Sequence, residues 1–139
     1  MKEKCMQNKK RKLIIAVDFD GTITEGNFWP ECLQVQKGAK EAINFWHDEL
    51  NCEIIIWTCR DNKLHNDLDR AIEFLKNNDI HYDFINENGS ILKDWPNDPR
   101  KIYADFYIDD KSFIFEPINW SKLEDFIAEF KYRYEECFI

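Results

Sequence analysis

Short apolar runs along the chain predict the strands of a buried sheet. The first run, residues 13–17, is Leu-Ile-Ile-Ala-Val without polar alternation, which is typical of a strand that is buried on both faces. The second run, which ends at Trp57, is rich in β-branched residues and too short for a helix. The predicted strands are 13–17, 53–57, 82–85 and 102–108, and we also consider a short fifth strand at 113–115.

Helical periodicity appears between and after these strands. The predicted helices are 39–50, 64–75 and 123–134. Asp61 or Asn62 is the predicted N-cap of the second helix, and a capping-box pattern at 121–124 predicts the start of the third. Because strands alternate with helices, we expect an α/β fold: a Rossmann-like three-layer α/β/α sandwich with a mostly parallel sheet and helices on both faces.

The composition is that of one globular domain with unevenly distributed charge. The chain has 139 residues, of which 44% are hydrophobic, enough to form a core. Residues 1–12 carry six basic side chains and one acidic side chain, although the whole chain has a formal net charge of −8. We therefore divide the sequence into a basic N-terminal tail, 1–12, and a single acidic domain, 13–139. An acidic domain argues against nucleic-acid binding through its surface, so a nucleic acid is expected to contact only the tail.

The sequence predicts neither export nor membrane insertion. No apolar segment precedes the first strand as a signal peptide would, and no apolar run approaches the length of a membrane span. The five cysteines are scattered and include no Cys-x-x-Cys pair, which argues against a zinc site and against a disulfide framework. We therefore expect a cytoplasmic protein with free thiols and no membrane partner.

Three of the predicted strands end in polar residues that suit metal or phosphoryl chemistry. Asp18 and Asp20 follow the first strand, Thr58 follows the second, and Asp109 and Asp110 follow the fourth. The carboxyl ends of parallel strands meet at one edge of a sheet, so these side chains are expected to converge. Neighbouring carboxylates repel each other unless a cation joins them, and ligand sets made only of oxygen suit Mg²⁺. Taken singly, each residue is equally well explained as a turn residue, a cap or a solvated charge.

The same segments, in this order, resemble the four motifs of the haloacid dehalogenase-like (HAD) superfamily. Residues 18–22, Asp-Phe-Asp-Gly-Thr, match the first motif, and 54–58, an apolar strand that ends in Thr, match the second. Lys101 fits the third motif, and 107–110, Tyr-Ile-Asp-Asp, fit the fourth. The resemblance covers about residues 13–115 and is greatest to the small capless hydrolases of that superfamily. It implies a HAD-like fold without a cap domain.

This resemblance implies a Mg²⁺-dependent phosphatase that acts through an aspartyl-phosphate intermediate. Asp18 would be the nucleophile, and Asp20 would be the general acid that protonates the leaving oxygen and then activates water. Asp18, the main-chain carbonyl of Asp20, and Asp109 would bind Mg²⁺, with Asp110 assisting through water. The cation would offset the repulsion between the phosphate group and the Asp18 carboxylate.

The resemblance also implies which groups hold the phosphoryl oxygens. Thr58 and Lys101 would bind them, and the choice between Lys101 and Lys93 stays open, although Lys101 leads directly into the fourth strand. Main-chain amides of the turn at Phe19 and Gly21 are expected to add hydrogen bonds to the phosphate. Gly21 has no side chain and so allows a close approach of the chain.

The substrate is expected to be phosphorylated, but its size stays open. The segments where caps enter in that superfamily, 21–38 and 86–100, are too short to fold as cap domains. An uncovered site admits a small molecule or a macromolecule such as a phosphoprotein or a nucleic-acid end. A neighbouring subunit of a homo-oligomer would be another way to cover the site.

Two other functions are compatible with the sequence. A receiver-type signalling domain also gathers acidic residues, Thr and Lys around Mg²⁺, but its phosphoacceptor ends the third strand, where this chain has Asn86. A non-catalytic binding module on the same fold is the second alternative. The three histidines show no ligand spacing and are interpreted as surface or helix residues; they are His47, His65 and His81. Arg60, which follows Thr58 closely, is interpreted equally well as a substrate contact or a surface residue.

Overall fold

A four-stranded parallel sheet lies at the centre of the protein. The computed structural model describes residues 10–112 and 117–139. Its strands are β1 (Ile14–Val17), β2 (Glu53–Ile56), β3 (Phe84–Ile85) and β4 (Phe106–Ile108), in the spatial order β3-β2-β1-β4. Each neighbouring pair of these strands is parallel. The predicted α/β, Rossmann-like fold with a parallel sheet is therefore confirmed.

The predicted strand 102–108 forms only at its C-terminal end, Phe106–Ile108. Ile102 is buried, as its apolar character predicts, but it packs onto one face of the sheet instead of extending β4. The Asp105 carboxylate holds the intervening chain, because it accepts a hydrogen bond from the Ile14 N–H at 2.8 Å. An apolar run alone does not distinguish a strand from a segment that covers a strand, which is why the prediction was too long.

One of the helices changes its hydrogen-bond pattern part-way along. The helices are α1 (Ala39–Asn44), α2 (Asp67–Asn77) and α3 (Trp120–Arg133). The chain continues from α1 into a π-helical turn, Phe45–Glu49, so the predicted segment 39–50 is helical without being a single α-helix. π-Helical turns are rare in proteins as a whole, and those that do occur often lie at functional sites.

The predicted N-cap of α2, Asp61 or Asn62, is wrong. The helix begins at Asp67 with Asn66 in the N-cap position. The residues before it form a separate loop in which Leu64 is 90% exposed. The apolar spacing of Leu64 with the helix therefore arose by chance, because this side chain belongs to the loop and contributes nothing to the core.

The capping box predicted at 121–124 is also wrong. Helix α3 begins at Trp120, two residues before the start that a cap at Ser121 predicts. The Asn119 side chain caps it by accepting a hydrogen bond from the Lys122 N–H at 3.0 Å. Asparagine and serine serve equally well as caps, so the local sequence offered two starting points for the same helix.

The two faces of the sheet are covered in different ways. Side chains from all three helices share one core with alternate strand residues on the first face. On the second face, Ala16 and Ile55 are covered by Ile102 of the connection between β3 and β4. Between β3 and β4 the chain crosses the sheet in the direction opposite to its earlier crossovers, because β4 lies beside β1 at the other end of the sheet. A right-handed crossover in that direction runs over the second face. The connection contains a 3₁₀ turn, Ser90–Leu92, and covers this face without an α-helix. Among the described residues all three α-helices pack on the first face, so the prediction of helices on both faces is wrong.

The folded domain begins earlier than the predicted boundary at residue 13. Arg11 forms a two-pronged ion pair with Asp105, with nitrogen–oxygen distances of 2.7 and 2.8 Å. Its backbone also pairs with Phe138 near the C-terminus. Arg11 is therefore part of the domain, and the predicted tail must be shortened accordingly. The remaining tail residues, 1–9, lie outside the described residues, as does the strand considered at 113–115.

The cysteines only partly follow the prediction of free thiols. Cys32, Cys52 and Cys59 are free. Cys137 is disulfide-bonded, which corrects the prediction at that position. Among the described residues, no helix combines the length and the apolar character needed to cross a membrane.

Candidate active site

Three carboxylates meet at the carboxyl edge of the sheet. Asp18 follows β1, and Asp109 and Asp110 follow β4; the two strands are neighbours whose last residues, Val17 and Ile108, are paired. The Asp18 N–H continues this pairing by donating to the Ile108 carbonyl at 2.9 Å. Oxygen atoms of the three carboxylates lie within 4.8 Å of one another. Parallel pairing thus brings together residues that are 91 positions apart.

Thr22 organises this carboxylate cluster, and the sequence reasoning assigned it no role. Its hydroxyl lies 2.9 Å from Asp18 Oδ2 and 3.2 Å from Asp110 Oδ1, and it accepts a hydrogen bond from the Asp110 N–H at 2.9 Å. The side chain is fully buried. Gly21 makes this arrangement possible, because its φ is 79° and a Cβ there would lie 2.7 Å from Asp110 Oδ2. The signal in the sequence was a small polar residue directly after Asp-Gly.

The cluster is electrostatically unbalanced without a cation. Burial and the charge of Asp109 raise the pKa of Asp18 to about 7, against a smaller opposing effect of the Thr22 hydrogen bond. Burial also disfavours the charged form of Asp110, but the Lys111 ammonium, 3.3 Å away, holds the pKa of that carboxyl below its usual value. Asp18 is therefore only partly ionised at neutral pH unless a further positive charge joins the cluster.

The Asp20 side chain is held apart from the cluster by Arg60. The guanidinium binds both carboxylate oxygens of Asp20, each at 2.8 Å. It also donates to the carbonyls of Pro30 and Asp67, and it stacks over the Phe19 ring at 5.2 Å. Since the Arg60 side chain is only 1% exposed, it is a structural anchor and is not the surface residue that the sequence left open.

Thr58 lies where the sequence predicted, at the end of β2, and is fixed by its neighbours. Its hydroxyl accepts a hydrogen bond from the Arg60 N–H at 3.2 Å. Its own N–H donates to the Asn86 side chain at 2.8 Å, and the Asn86 amide donates in turn to the Arg60 carbonyl at 3.1 Å. Asn86, at the end of β3, therefore clamps the turn that carries Thr58 and Arg60. The sequence reasoning noted Asn86 only because it is not an aspartate.

The other predicted phosphate-binding groups are placed less favourably. The Phe19 side chain is buried against Phe74, with ring centres 5.7 Å apart, so only its backbone can face a ligand. The Gly21 N–H already donates to the Thr24 hydroxyl at 3.0 Å. The Lys101 amine lies 5.3 Å from the centre of the Tyr107 ring. The Gly21 N–H and the Lys101 amine would have to leave these partners before they could bind a phosphate.

A cavity of about 580 Å³ opens beside the carboxylate cluster. Its wall includes Asp18, Asp20, Thr58 and Asp109. Its other described lining residues are Asn27, Trp29, Cys59, Arg60, Asp61, Lys63, Leu64, His65, Asp67 and Lys111. The described lining includes Lys63 and Lys111 but neither Lys101 nor Lys93. Lys111, which follows the Asp-Asp pair at the end of β4, thus lines the cavity beside the cluster.

Comparison with known proteins supports the fold and assigns no activity. The chain is similar to the solved structure of a conserved protein from Bacteroides thetaiotaomicron, with a TM-score of 0.72 and 27% sequence identity. The match covers 87% of this chain and 93% of that protein, which is described only as conserved. No protein-family model matches the sequence, and no curated protein matches it.

Proposed function

We propose that the protein is a Mg²⁺-dependent phosphomonoesterase that forms an aspartyl-phosphate on Asp18. The observation that carries this proposal is the meeting of Asp18, Asp109 and Asp110 at one edge of the sheet. Two of these carboxylates, Asp18 and Asp109, also line an open cavity. Asp18 and Asp20 belong to the segment that resembles the first HAD motif, and both line the same cavity. The function is thus supported by a resemblance in sequence and by the positions of the residues that carry it.

The donor set of the cluster fits Mg²⁺. It offers carboxylate oxygens and no nitrogen or sulfur, which is the preference of a hard cation. Asp18, Asp109 and Asp110 would hold the ion, together with the main-chain carbonyl of Asp20 that the HAD resemblance implies. When bound, Mg²⁺ supplies positive charge that keeps the carboxylates ionised and draws in the phosphate group.

The reaction needs one nucleophile and one proton carrier. An ionised Asp18 oxygen attacks phosphorus, and the bond between phosphorus and the leaving oxygen breaks while Asp20 donates a proton to that oxygen. Asp20 then takes a proton from a water molecule whose oxygen attacks phosphorus. The bond between phosphorus and the Asp18 oxygen breaks, which releases phosphate and restores the Asp18 carboxylate. Because both oxygens of Asp20 accept hydrogen bonds from Arg60, one of them must first turn away from the guanidinium and take up a proton from solvent. The proton that Asp20 later takes from water restores this state for the next cycle.

Cationic and hydroxyl groups of the cavity are arranged to hold the phosphate. Thr58 presents its hydroxyl, and Lys111 stands beside the carboxylate cluster through its ion pair with Asp110. Lys63 lines the opposite loop of the cavity. We therefore assign the phosphate contact to Lys111 in place of Lys101. Trp29, 55% exposed on the rim, gives an apolar surface against which the remainder of the substrate can pack.

Hydrolysis of p-nitrophenyl phosphate by the purified chain tests the proposal. We expect phosphate release that depends on Mg²⁺ and falls by roughly a thousandfold or more in Asp18→Asn, because the nucleophile is lost. Asp125→Asn is the matched control, since Asp125 is an exposed residue of α3 outside the cavity lining, and it should retain full activity.

Two results would contradict the proposal. If the wild type and Asp18→Asn are equally inactive toward a broad panel of phosphomonoesters with Mg²⁺ present, a binding function is favoured. If acetyl phosphate yields a phosphoenzyme that persists for hours, a receiver-type function is favoured. In that case mass analysis of the phosphorylated peptide would identify the acceptor.

A further inference from the structure

A second group of potential ligands lies at the amino edge of the sheet. The π-helical turn before β2 carries His47 and Asp48, and the chain before β3 carries His81. The carboxylate cluster follows the carboxyl ends of β1 and β4, so the sheet separates the two groups. These histidines were interpreted from the sequence as unrelated surface or helix residues, but the fold brings them together.

The three side chains point their ligand atoms at one place. His47 Nδ1 lies 2.7 Å from Asp48 Oδ1, and His81 Nδ1 lies 2.8 Å from Asp48 Oδ2. One ligand atom from each residue lies within 4.8 Å of the other two. A tetrahedral ion with bonds of about 2.0 Å holds its ligand atoms about 3.3 Å apart, so only a small outward shift is needed to admit one.

A carboxylate supports the second nitrogen of each imidazole. His47 Nε2 lies 3.1 Å from Asp83 Oδ1, and His81 Nε2 lies 3.0 Å from Asp79 Oδ1. Histidines that bind metals almost always have such a partner on the other ring nitrogen, where it fixes the orientation of the ring. That both histidines meet this condition, through two different carboxylates, is an observation independent of the Asp48 contacts.

Backbone hydrogen bonds hold these supporting groups in place. Asp83 uses its other oxygen to accept the Ile54 N–H at 2.8 Å. Asn44, at the end of α1, accepts the His81 N–H at 2.8 Å and donates to the Asp79 carbonyl at 2.8 Å. The positions of His47, Asp48 and His81 are therefore set by α1, by its π-helical turn and by the chain just before β3.

We propose that His47, Asp48 and His81 form a binding site for a divalent transition metal of the zinc class. Two imidazole nitrogens with one carboxylate oxygen are a ligand set that suits Zn²⁺. The same set is unfavourable for Mg²⁺, which prefers oxygen ligands. The ion replaces the protons held between the imidazoles and Asp48 and releases them to solvent. All three side chains are partly exposed, so the ion can enter and water can complete the coordination.

Calorimetric titration of the full chain with Zn²⁺ tests this site. The protein is first treated with a chelator and then saturated with Mg²⁺, which blocks the carboxylate cluster. We expect one Zn²⁺ per chain in the wild type, and an affinity lowered by about a hundredfold or more in His47→Gln and His81→Gln, because each loses a direct ligand. This exceeds the roughly ten- to hundredfold loss that follows removal of a supporting group.

His65→Gln is the matched control, since His65 is the chain's only other histidine and lies in the loop before α2. It should bind Zn²⁺ like the wild type, and circular dichroism should show that all variants are folded. The proposal is overturned if the wild type binds no Zn²⁺ with Mg²⁺ present, or if both ligand variants bind as tightly as the wild type. It is also overturned if Cys59→Ser abolishes binding, because the exposed Cys59 thiol would then be the ligand.

Discussion

The two edges of the sheet gather different ligands by different routes. At the carboxyl edge, Asp18, Asp109 and Asp110 follow strands directly and present only oxygen atoms. At the amino edge, His47 and His81 precede strands and present nitrogen around one carboxylate. One small domain thus offers an oxygen site of the kind Mg²⁺ prefers and a nitrogen-rich site of the kind Zn²⁺ prefers. Neither site depends on residues of the other.

The two edges also differ in how their charges are held. Arg60 and Asp20 form a buried pair at the carboxyl edge, with the guanidinium almost excluded from solvent. The His81 pairs with Asp48 and Asp79 at the amino edge are partly exposed. Buried pairs cost much more to break than exposed ones, because the remaining charge stays in a poorly solvated place. Loss of Arg60 at the carboxyl edge is therefore expected to destabilise the fold, whereas loss of a histidine at the amino edge is expected to cost little.

The largest expected effect is a loss of stability when the buried pair is broken. Arg60→Met leaves the Asp20 carboxylate without its partner and removes hydrogen bonds to the carbonyls of Pro30 and Asp67. We expect the free energy of unfolding in urea to fall by about 3 kcal/mol. Arg70→Met is the matched control; its pair with Glu31 is exposed and 3.5 Å long, so the cost should stay below about 1 kcal/mol. Equal losses in the two variants would contradict the structural role of Arg60.

The second prediction tests whether the two sites are independent. Asp109→Asn should weaken Mg²⁺ binding by about tenfold or more and leave Zn²⁺ binding unchanged. His81→Gln should do the reverse, because it changes only the amino edge. Both affinities are measured by calorimetric titration of the same protein preparations. If either variant lowers the affinities for both metals to a similar degree, the two sites are not independent.

The smallest predicted effect is a pH dependence at the carboxyl edge. Without metal, the pKa of Asp18 is raised to about 7 by burial and by the charge of Asp109. The stability that Asp18 contributes is then present below its usual pKa and is lost as the pH rises toward 7. Bound Mg²⁺ offsets this loss, so the rise in Tm on adding Mg²⁺ should grow between about pH 5 and about pH 8. Asp18→Asn should show a much flatter dependence, and an equally steep one would disprove the assignment to Asp18.

The carboxyl edge was predictable because its ligands are adjacent in sequence to the strands that position them. An apolar run that stops at Asp18, or at Asp109, predicts both a strand and the residue at which the strand ends. Parallel pairing then determines that these points lie side by side. No comparable pattern indicated a buried position for Arg60, since a charged residue after a strand is usually solvated. Only the packing of Pro30 and Asp67 around its guanidinium makes it a buried anchor.

The amino edge was not predictable from local patterns. His47 and His81 are 34 positions apart, with a strand and a helix between them. Their approach depends on the π-helical turn at Phe45–Glu49, which no periodicity indicated, and on the Asn44 side chain that binds the chain around His81. The start of α2 was also predicted wrongly from a local pattern, because Leu64 continues the apolar spacing of the helix although it lies in the loop before it.

Local composition was enough to predict the two fully buried strands, β1 and β2, and the polar groups that follow β1, β2 and β4, because burial depends on composition over four or five neighbouring residues. That was sufficient for the parallel sheet and for the convergence of Asp18 with Asp109. The tertiary structure decided which lysine faces the cavity, that Asp20 is bound to Arg60, and that His47 meets His81. Those outcomes depend on contacts between segments distant along the chain, and local preferences do not encode the direction in which a side chain finally points.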